Sequence, residues 1–249
     1  GMTWLERGRW VHEQLSAAVD RRQSKVQQLL KRDGIKFTSL NLGNMLIVES
    51  ANSRAFNHLL ASVNVRAIYE YPEFFIVPPE EVEGGELPGV QGGGTPVSNL
   101  EQIFATDAWS EFGVEGDGIV IGLNDSSPRH THDLMVDSYR GNIGGGDFDH
   151  NYAWFDPGAG ELAPVSDFHG TLVLSIMVGD DGTSRTGVAP GSEWMACRGC
   201  AGTECADVIE CLDWFIAPTD VDGNNPDPDL RPEVVNNSWG SCEQSYDNF

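Results

Sequence analysis

The strongest constraint on the fold is an alternation of apolar strands and helices after residue 117. The run GIVIGLN, residues 118–124, is short and continuously apolar, which favours a strand buried on both faces of a parallel sheet. The later segments HGTLVLSIMVG, GSEWMAC, ADVIECLDWFIA and EVVNNSWG indicate in turn a helix, a strand, a helix and a strand. Such an alternation predicts a doubly wound parallel α/β sheet, in which ligands bind at the carboxyl ends of the strands. Asp125 lies at such an end.

The first 80 residues have a different pattern. Apolar positions at helical spacing predict a helix from Trp10 to Arg32. FTSLNLGNMLIVES then indicates a strand, SRAFNHLLASV a second helix and VRAIYEYPEFFIV a second strand. We therefore expect a small α+β domain over residues 1–80, a Gly-, Pro- and Glu-rich linker over 81–98, and the sheet domain over 99–249. Exposed linkers of this kind are where proteases cut.

Charge also divides the chain. Residues 1–80 carry 10 Lys+Arg and 8 Asp+Glu, a net charge of +2, whereas residues 81–249 carry 5 and 30, a net charge of −25. The acidic part repels nucleic acid phosphates and anionic membrane surfaces, so we expect neither as a partner. No apolar run approaches the roughly 18 residues of a membrane span. A slightly basic first domain could dock on the acidic second one, although drift in composition is the simpler reading.

All the cysteines lie after residue 196. The stretch CRGCAGTEC contains a CxxC, which is typical of zinc sites, thiol redox sites or disulfides. A zinc site would need a second CxxC or a histidine pair nearby, and none follows, so two short-range disulfides in an exported protein are favoured. We predict the pairs Cys200–Cys205, which closes a short loop, and Cys197–Cys211, which ties a strand end to the next helix. Cys242 would be left over, and the protein would be extracellular.

The stretch NDSSPRHTHDL, residues 124–134, is compatible with a metal site. His130 and His132 would project to one side of an extended segment, as in metal hydrolases with an H-x-H pair. Further donors would be His150, Asp149 and Asp167. The simpler reading is a pair of solvated loop histidines, because nothing fixes their geometry beyond the strand end.

A second reading takes Asp125 together with His169. Asp125 ends a buried strand and His169 opens a helix that Ser166 or Asp167 can cap, so two rigid elements can hold a carboxylate against an imidazole. Such a pair orients the ring and stabilises the imidazolium formed when a serine loses its proton.

Several blocks of the chain resemble the subtilases, the subtilisin-like serine proteases, and within them the bacillopeptidase F-like members. They are IVIGLNDSSPRHTH, HGTLVLSIMVGDDG, GVAPGSEWMACRG and APTDVDGNNPDPDLRPEVVNNSWG. The resemblance makes Asp125 the catalytic aspartate and His169 the catalytic histidine, with His130 and His132 as bystanders. The run GRWVHEQLSAAVDRRQSKVQQLL and the rest of residues 1–80 resemble the inhibitory propeptide of these proteins.

The chain departs from the family pattern at three points. Ser127 replaces the usual glycine after D-[ST], and Leu172 replaces the second histidine of H-G-T-H. The oxyanion asparagine and the G-T-S-M-A serine block are not found, and the one GTS, at Gly182–Ser184, lies in a DDGTS turn without M-A. We therefore expect a secreted zymogen represented by its propeptide and the N-terminal half of its catalytic domain, inactive alone because neither covalent step can run without a nucleophile.

The resemblance also implies a site for polypeptide substrates. One strand beside the specificity pocket would pair with the substrate backbone, and an opposing edge strand would face it. The residues so assigned are Ser238, Trp239 and Gly240 on the first strand, and Arg198, Gly199 and Gly202 on the second. The alternative for Trp239 is a core residue at an ordinary strand end. No cofactor is implied, except that calcium sites are common in the family and no segment here identifies one.

The propeptide-like domain implies a further partner, namely the chain itself. Its last strand, ending FFIVPPE, would enter the substrate groove as a product-like peptide, with cleavage between Pro78 and Pro96. Two other function classes stay open at this point. One is a non-catalytic subtilase-like binding module, which the changes at Ser127 and Leu172 favour slightly. The other, more distant, is the metal-dependent hydrolase.

Overall fold

A computed structural model describes residues 1–76, 95–96 and 98–241. The chain divides into two compact units, Gly1–Pro72 and Glu73–Phe249. Residues 73–76, which the sequence pattern joins to the first domain, therefore belong to the second unit. Most of the predicted linker and Cys242 lie outside the described residues, so the cleavage region and the free thiol stay predictions.

The first unit is a long helix with a small hairpin and a second helix. Its elements are α1 Trp4–Arg32, β1 Phe37–Ser39, a 3-10 helix Leu42–Asn44, β2 Leu46–Val48 and α2 Ser53–Leu60. Helix α1 begins six residues before the predicted start because Thr3 and Glu6 form a capping box, each side chain bonding the other's backbone amide. Although α1 has 29 residues, neither it nor any other helix in the described ranges is apolar enough to cross a membrane.

Two strand predictions for the first unit need correction. The segment FTSLNLGNMLIVES is a hairpin rather than one strand, with Phe37 opposite Val48 across an antiparallel pair. The predicted strand over residues 65–77 does not form: up to residue 76 its only pairing is bridges made by Phe75. Pro72 interrupts this stretch, and a proline has no amide hydrogen to donate to a ladder.

The second unit is the predicted α/β domain. Its elements are β3 Thr95–Pro96, α3 Ser98–Gln102, α4 Ala105–Phe112, β4 Val120–Asp125, β5 Asn142–Gly144, β6 Asp147–Phe148, β7 Trp154–Phe155, α5 Phe168–Val178, β8 Ser184–Arg185, β9 Glu193–Arg198, α6 Val208–Trp214, a 3-10 helix Pro228–Leu230 and β10 Val234–Asn237. The main sheet is parallel, with strand order β10-β4-β9-β7. Strand β3 pairs with β8, and β5 pairs with β6. The sequence prediction of a parallel α/β sheet is confirmed.

Helices α5 and α6 cover opposite faces of this sheet. Trp194 and Ala196 of β9 pack in one core with Leu174 of α5, whereas Met195 of β9 packs in another with Cys211 of α6. Since side chains alternate between the faces of a strand, the two helices lie on different sides. The chain crosses from β4 through α5 to β9, then through α6 back to β10 on the other side of β4. In folds of this kind, ligands bind at the carboxyl ends of the strands where the strand order reverses, which here is the end of β4.

Candidate active site

Asp125 is the last residue of β4 and is fully buried. Its Oδ1 accepts hydrogen bonds from the Ser126 amide at 2.6 Å and from Nδ1 of His169 at 2.8 Å. Its Oδ2 is buried and has no hydrogen-bond partner among the described residues. Burial therefore raises the pKa of Asp125, against the opposing effect of the hydrogen bonds from His169 and Ser126.

His169 is held by the first turn of α5. Asp167 is the N-cap, and its side chain accepts from the His169 amide. The side chain of His169 is 16% exposed, whereas that of Asp125 is 0% exposed. The imidazole thus lies between a buried carboxylate and solvent.

Three hydrogen bonds join the turn after β4 to the start of α5. The Gly170 amide donates to Oγ of Ser126 at 2.9 Å, and the Asp167 amide donates to the carbonyl of Ser127 at 2.8 Å. The Arg129 amide donates to Oγ1 of Thr171 at 2.9 Å. These bonds fix the distance between the strand end and the helix, and with it the Asp125–His169 contact.

Two features of this junction follow from side-chain size. Ser127 is not among the residues with positive φ, so its Cβ causes no backbone strain where the family pattern has glycine. At Gly170, by contrast, an added Cβ would meet the backbone of Ser126, including its carbonyl carbon at 2.8 Å. The positioning role of Ser126 was not predicted, although its place in the D-[ST] block was the available signal.

The geometry assigns the protons of the pair. An ionised carboxylate only accepts hydrogen bonds, so Nδ1 of His169 is the donor in this bond, and in the neutral form of the ring Nε2 then has the free lone pair. Across the described ranges, the ring of His169 is hydrogen-bonded only to Asp125. The arrangement can take a proton at Nε2 from a hydroxyl placed beside it, while Asp125 stabilises the resulting imidazolium.

The two histidines of the stretch NDSSPRHTHDL are engaged elsewhere. The ring of His130 packs edge-on against Phe148 and His150, with centroids 4.7 and 5.2 Å away. Nδ1 of His132 accepts from the Leu134 amide at 3.2 Å. Burial lowers the pKa of both His130 and His150.

The donors named for a metal site do not converge. Nδ1 of His150 bonds the Tyr139 hydroxyl at 2.9 Å, Asp149 accepts from Asn151, and Asp167 caps α5. No group of three or more His, Cys, Asp or Glu side chains suited to a metal ion occurs within the described part of the chain.

Residues 73–76 form an extended segment that pairs with the strand end after β10. The Phe75 amide donates to the Gly240 carbonyl at 2.9 Å, and the Gly240 amide donates to the Phe75 carbonyl at 3.0 Å. The ring of Phe74 meets that of Trp239 edge-on, with centroids 4.9 Å apart. Trp239 and Gly240 thus contact a peptide strand through the ring and the backbone respectively.

The same segment pairs on its other side with the loop after β9. The Ile76 amide donates to the Thr203 carbonyl at 3.0 Å, and the Cys205 amide donates to the Phe74 carbonyl at 3.1 Å. An extended peptide is therefore bonded on both edges, as in β-strand addition. The sequence predicted a substrate-binding role for the start of this loop but not for Thr203 and Cys205, whose backbone groups form the hydrogen bonds.

The remaining residues assigned to substrate binding have other contacts. Arg198 forms an ion pair with Asp156 at 3.0 Å. Gly199 lies so close to Asn124 that a Cβ would overlap its side-chain oxygen, and Gly202 turns the loop with φ 60°. Oγ of Ser238 accepts from the Asn236 side chain at 2.9 Å. None of these contacts is with residues 73–76.

Both predicted disulfides are present. Cys197 at the end of β9 is bonded to Cys211 in α6, and Cys200 is bonded to Cys205 in the following loop. The first joins a strand to the helix that covers it, and the second closes the loop that pairs with residues 73–76.

The comparisons with known proteins agree with this geometry. The model of the subtilase family matches residues 116–248, so the chain belongs to the subtilase family. Membership supports a serine peptidase. The chain is also 40% identical, over 150 residues, to bacillopeptidase F of Bacillus subtilis (strain 168). The match covers 57% of this chain and 10% of that protein, so the chain spans about a tenth of its relative's length.

Proposed function

We propose that this chain is part of the zymogen of a secreted serine endopeptidase that hydrolyses peptide bonds with an Asp-His-Ser triad. The observation that carries the proposal is the 2.8 Å hydrogen bond between the buried Asp125 and His169 at the carboxyl edge of a parallel sheet. The two disulfides favour an oxidising, extracellular compartment. The reaction needs no cofactor, and calcium binding stays a prediction from the family.

The proposed mechanism is acyl transfer. A serine hydroxyl attacks the scissile carbonyl while Nε2 of His169 takes its proton, and the same nitrogen returns the proton to the leaving amine. Asp125 holds Nδ1 and stabilises the imidazolium between these steps. Water then repeats the sequence on the acyl-enzyme and releases the serine.

We propose that the serine comes from a segment beyond the 249 residues. Two observations support this. The ring of His169 bonds no serine among the described residues. Helix α5 exposes Phe168, Leu172 and Ile176 at 71%, 38% and 47%, a stripe of apolar residues at four-residue spacing. Such a stripe favours contact with a further part of the domain.

We further propose that the N-terminal region inhibits the enzyme until it is cut away. The pairing of residues 73–76 on both edges, with Gly240 and with the loop after β9, supports a product-like peptide in the groove. A net charge of +2 on residues 1–80 against −25 on the remainder favours electrostatic docking.

The test of catalysis is to read the coding sequence past Phe249 and express the longer protein. It should cleave a generic peptide substrate, and His169→Ala should lower kcat by about 10³-fold or more. His130→Ala is the matched control and should leave kcat within about threefold, because that ring packs away from the pair. Activity that survives His169→Ala would contradict the proposal. A stop codon directly after Phe249 would also contradict it, and would favour a non-catalytic module.

The test of inhibition adds purified residues 1–80 in trans to the mature enzyme. We expect strong inhibition whose electrostatic part weakens as salt rises, while the apolar part does not. No effect on activity and none on refolding yield would leave a permanent side domain as the better description.

A further inference from the structure

The loop closed by Cys200 and Cys205 has an apolar inner surface. Both half-cystines are buried, at 1% and 2% exposure, and they form one cluster with Val208 and Ile76. Ile76 is itself only 3% exposed. The disulfide therefore shares one buried apolar cluster with a side chain of the bound extended segment.

The same loop is anchored at the predicted catalytic pair. The Cys200 amide donates to the carbonyl of Asp125 at 3.2 Å. Inside the loop, Ala201 and Glu204 exchange backbone hydrogen bonds, at 2.7 Å and 3.3 Å. One end of the loop is thus fixed to β4, and the other presents the carbonyl of Thr203 and the amide of Cys205 to the peptide.

The bound segment presents alternate side chains to the groove. Phe74 and Ile76 both pack in the apolar cluster of the loop, whereas the backbone of Phe75 bonds Gly240 between them. Phe74 meets the ring of Trp239, and Ile76 meets the disulfide cluster. Both positions thus contribute to one apolar cluster, which contains the two half-cystines and Trp239.

We propose that the Cys200–Cys205 disulfide is a wall of the peptide-binding site, which selects a branched aliphatic side chain at the Ile76 position, two residues after an aromatic one. Peptide occupancy and the closed disulfide stabilise each other. This inference deepens the proposed function, because it takes residues 73–76 as the representative of a substrate. Its test involves no turnover, so it can fail while the proposed catalysis holds, or the reverse.

The physical basis is reciprocal linkage. If the closed loop holds the peptide more tightly than the open one, then the peptide must protect the closed loop to the same extent. A dithiol such as dithiothreitol probes this protection through the rate at which it opens the disulfide. Its thiolate attacks one sulfur of the cystine to give a mixed disulfide, and its second thiol displaces that cysteine. Two cysteine thiols and one cyclic disulfide result, with two electrons transferred.

The first experiment measures reduction of both disulfides in the 249-residue chain, under native conditions, by timed alkylation and peptide mass spectrometry. Ile76→Ser should speed the reduction of Cys200–Cys205 at least tenfold, because it replaces a buried apolar side chain of the disulfide cluster with a polar one. Cys197–Cys211, in the same molecule, should stay within about twofold. The matched control is Ile68→Ser, at a side chain that is 40% exposed, and it should change neither rate. Equal rates for wild type and Ile76→Ser at Cys200–Cys205 would overturn the proposal, as would equal acceleration of both disulfides.

The second experiment is the reciprocal one and avoids thiol chemistry. In the double variant Cys200→Ser/Cys205→Ser, the Ile76 amide, which bonds the loop, should exchange with deuterium at least tenfold faster. The Phe75 amide, which bonds Gly240, should be affected less. An intact Cys197–Cys211 bond and an unchanged circular dichroism spectrum establish that the variant is folded. Unchanged protection of Ile76 in that folded variant would refute the coupling.

Discussion

At the junction between β4 and α5, we expect one glycine-to-alanine substitution to lower the stability of the fold, although such substitutions in helices usually raise it. Gly170 lies in the first turn of α5, and replacing a helical glycine with alanine normally stabilises, by at most about 1 kcal/mol. Here the added methyl would lie 2.8 Å from the carbonyl carbon of Ser126 and closer to its oxygen. We therefore expect Gly170→Ala to destabilise the second unit.

The size of the expected loss in stability depends on which atoms must move to make room for the methyl group. Overpacking costs about 1–3 kcal/mol, and the upper part applies because the obstacle is backbone rather than the end of a flexible side chain. Subtracting the gain in helix propensity leaves a net loss of about 1–2 kcal/mol in the free energy of unfolding. The same displacement would separate His169 from Asp125, since the hydrogen bond from the Gly170 amide to Ser126 fixes their distance.

The assay is native-state hydrogen exchange of the 249-residue chain, with peptides from β4 and α5 followed by mass spectrometry. It reports on the second unit separately, which one unfolding curve for two units does not. A loss of about 1–2 kcal/mol corresponds to roughly 5–30-fold faster exchange. Gly240→Ala is the control, because a methyl there meets no described atom within 4 Å, and its effect should stay within about 0.5 kcal/mol. Slower exchange in Gly170→Ala than in wild type would refute the packing argument.

Two further predictions concern ionised groups. Hydrogen bonds, first from Arg32 and then from His58, lower the pKa of Asp33 to about 2, so its stabilising effect is present above about pH 4 and is lost as the pH falls towards 2. In Asp33→Asn, the stability of the first unit should therefore depend less on pH in that window. Acid titrations followed by circular dichroism check this, and a variant whose profile runs parallel to that of wild type would contradict it. Arg198→Met would leave the carboxylate of Asp156, 2% exposed, without its ion-pair partner. We expect a loss of about 2–3 kcal/mol, below the range for fully buried pairs because Arg198 is 20% exposed, and partial recovery in the double variant with Asp156→Asn. Native-state hydrogen exchange of peptides from β9 checks it, and a single variant as stable as wild type would exclude the ion pair as a stabilising contact.

The elements of the second unit were predictable because their signals are local. The apolar run before Asp125 and the helix that opens at His169 depend on neighbouring residues, so β4 and α5 appear where the sequence places them. The order of the strands is not local. Whether β10 pairs with β4 or with β9 depends on which face α6 crosses, and β10 lies beside β4.

The segment ending at Ile76 shows the opposite case. Its sequence predicts a strand of the first domain, but contains no information on the partner. Phe75 instead pairs with Glu204 and Gly240, more than 120 residues away in the sequence, and belongs to the second unit. A strand pattern identifies a residue that can pair, and only the fold supplies what it pairs with.

For the candidate site, local patterns were enough to predict the residue types and their approximate positions: an aspartate at a strand end, a histidine at a helix start and two short disulfides. The tertiary structure decided that Oδ1 of Asp125 meets Nδ1 of His169, and that Ser126 ties the two elements together. It also decided that the Cys200–Cys205 loop faces a peptide strand. The physical reason is that a hydrogen bond needs atoms within about 3 Å, and spacing along the chain does not fix distances between separate elements.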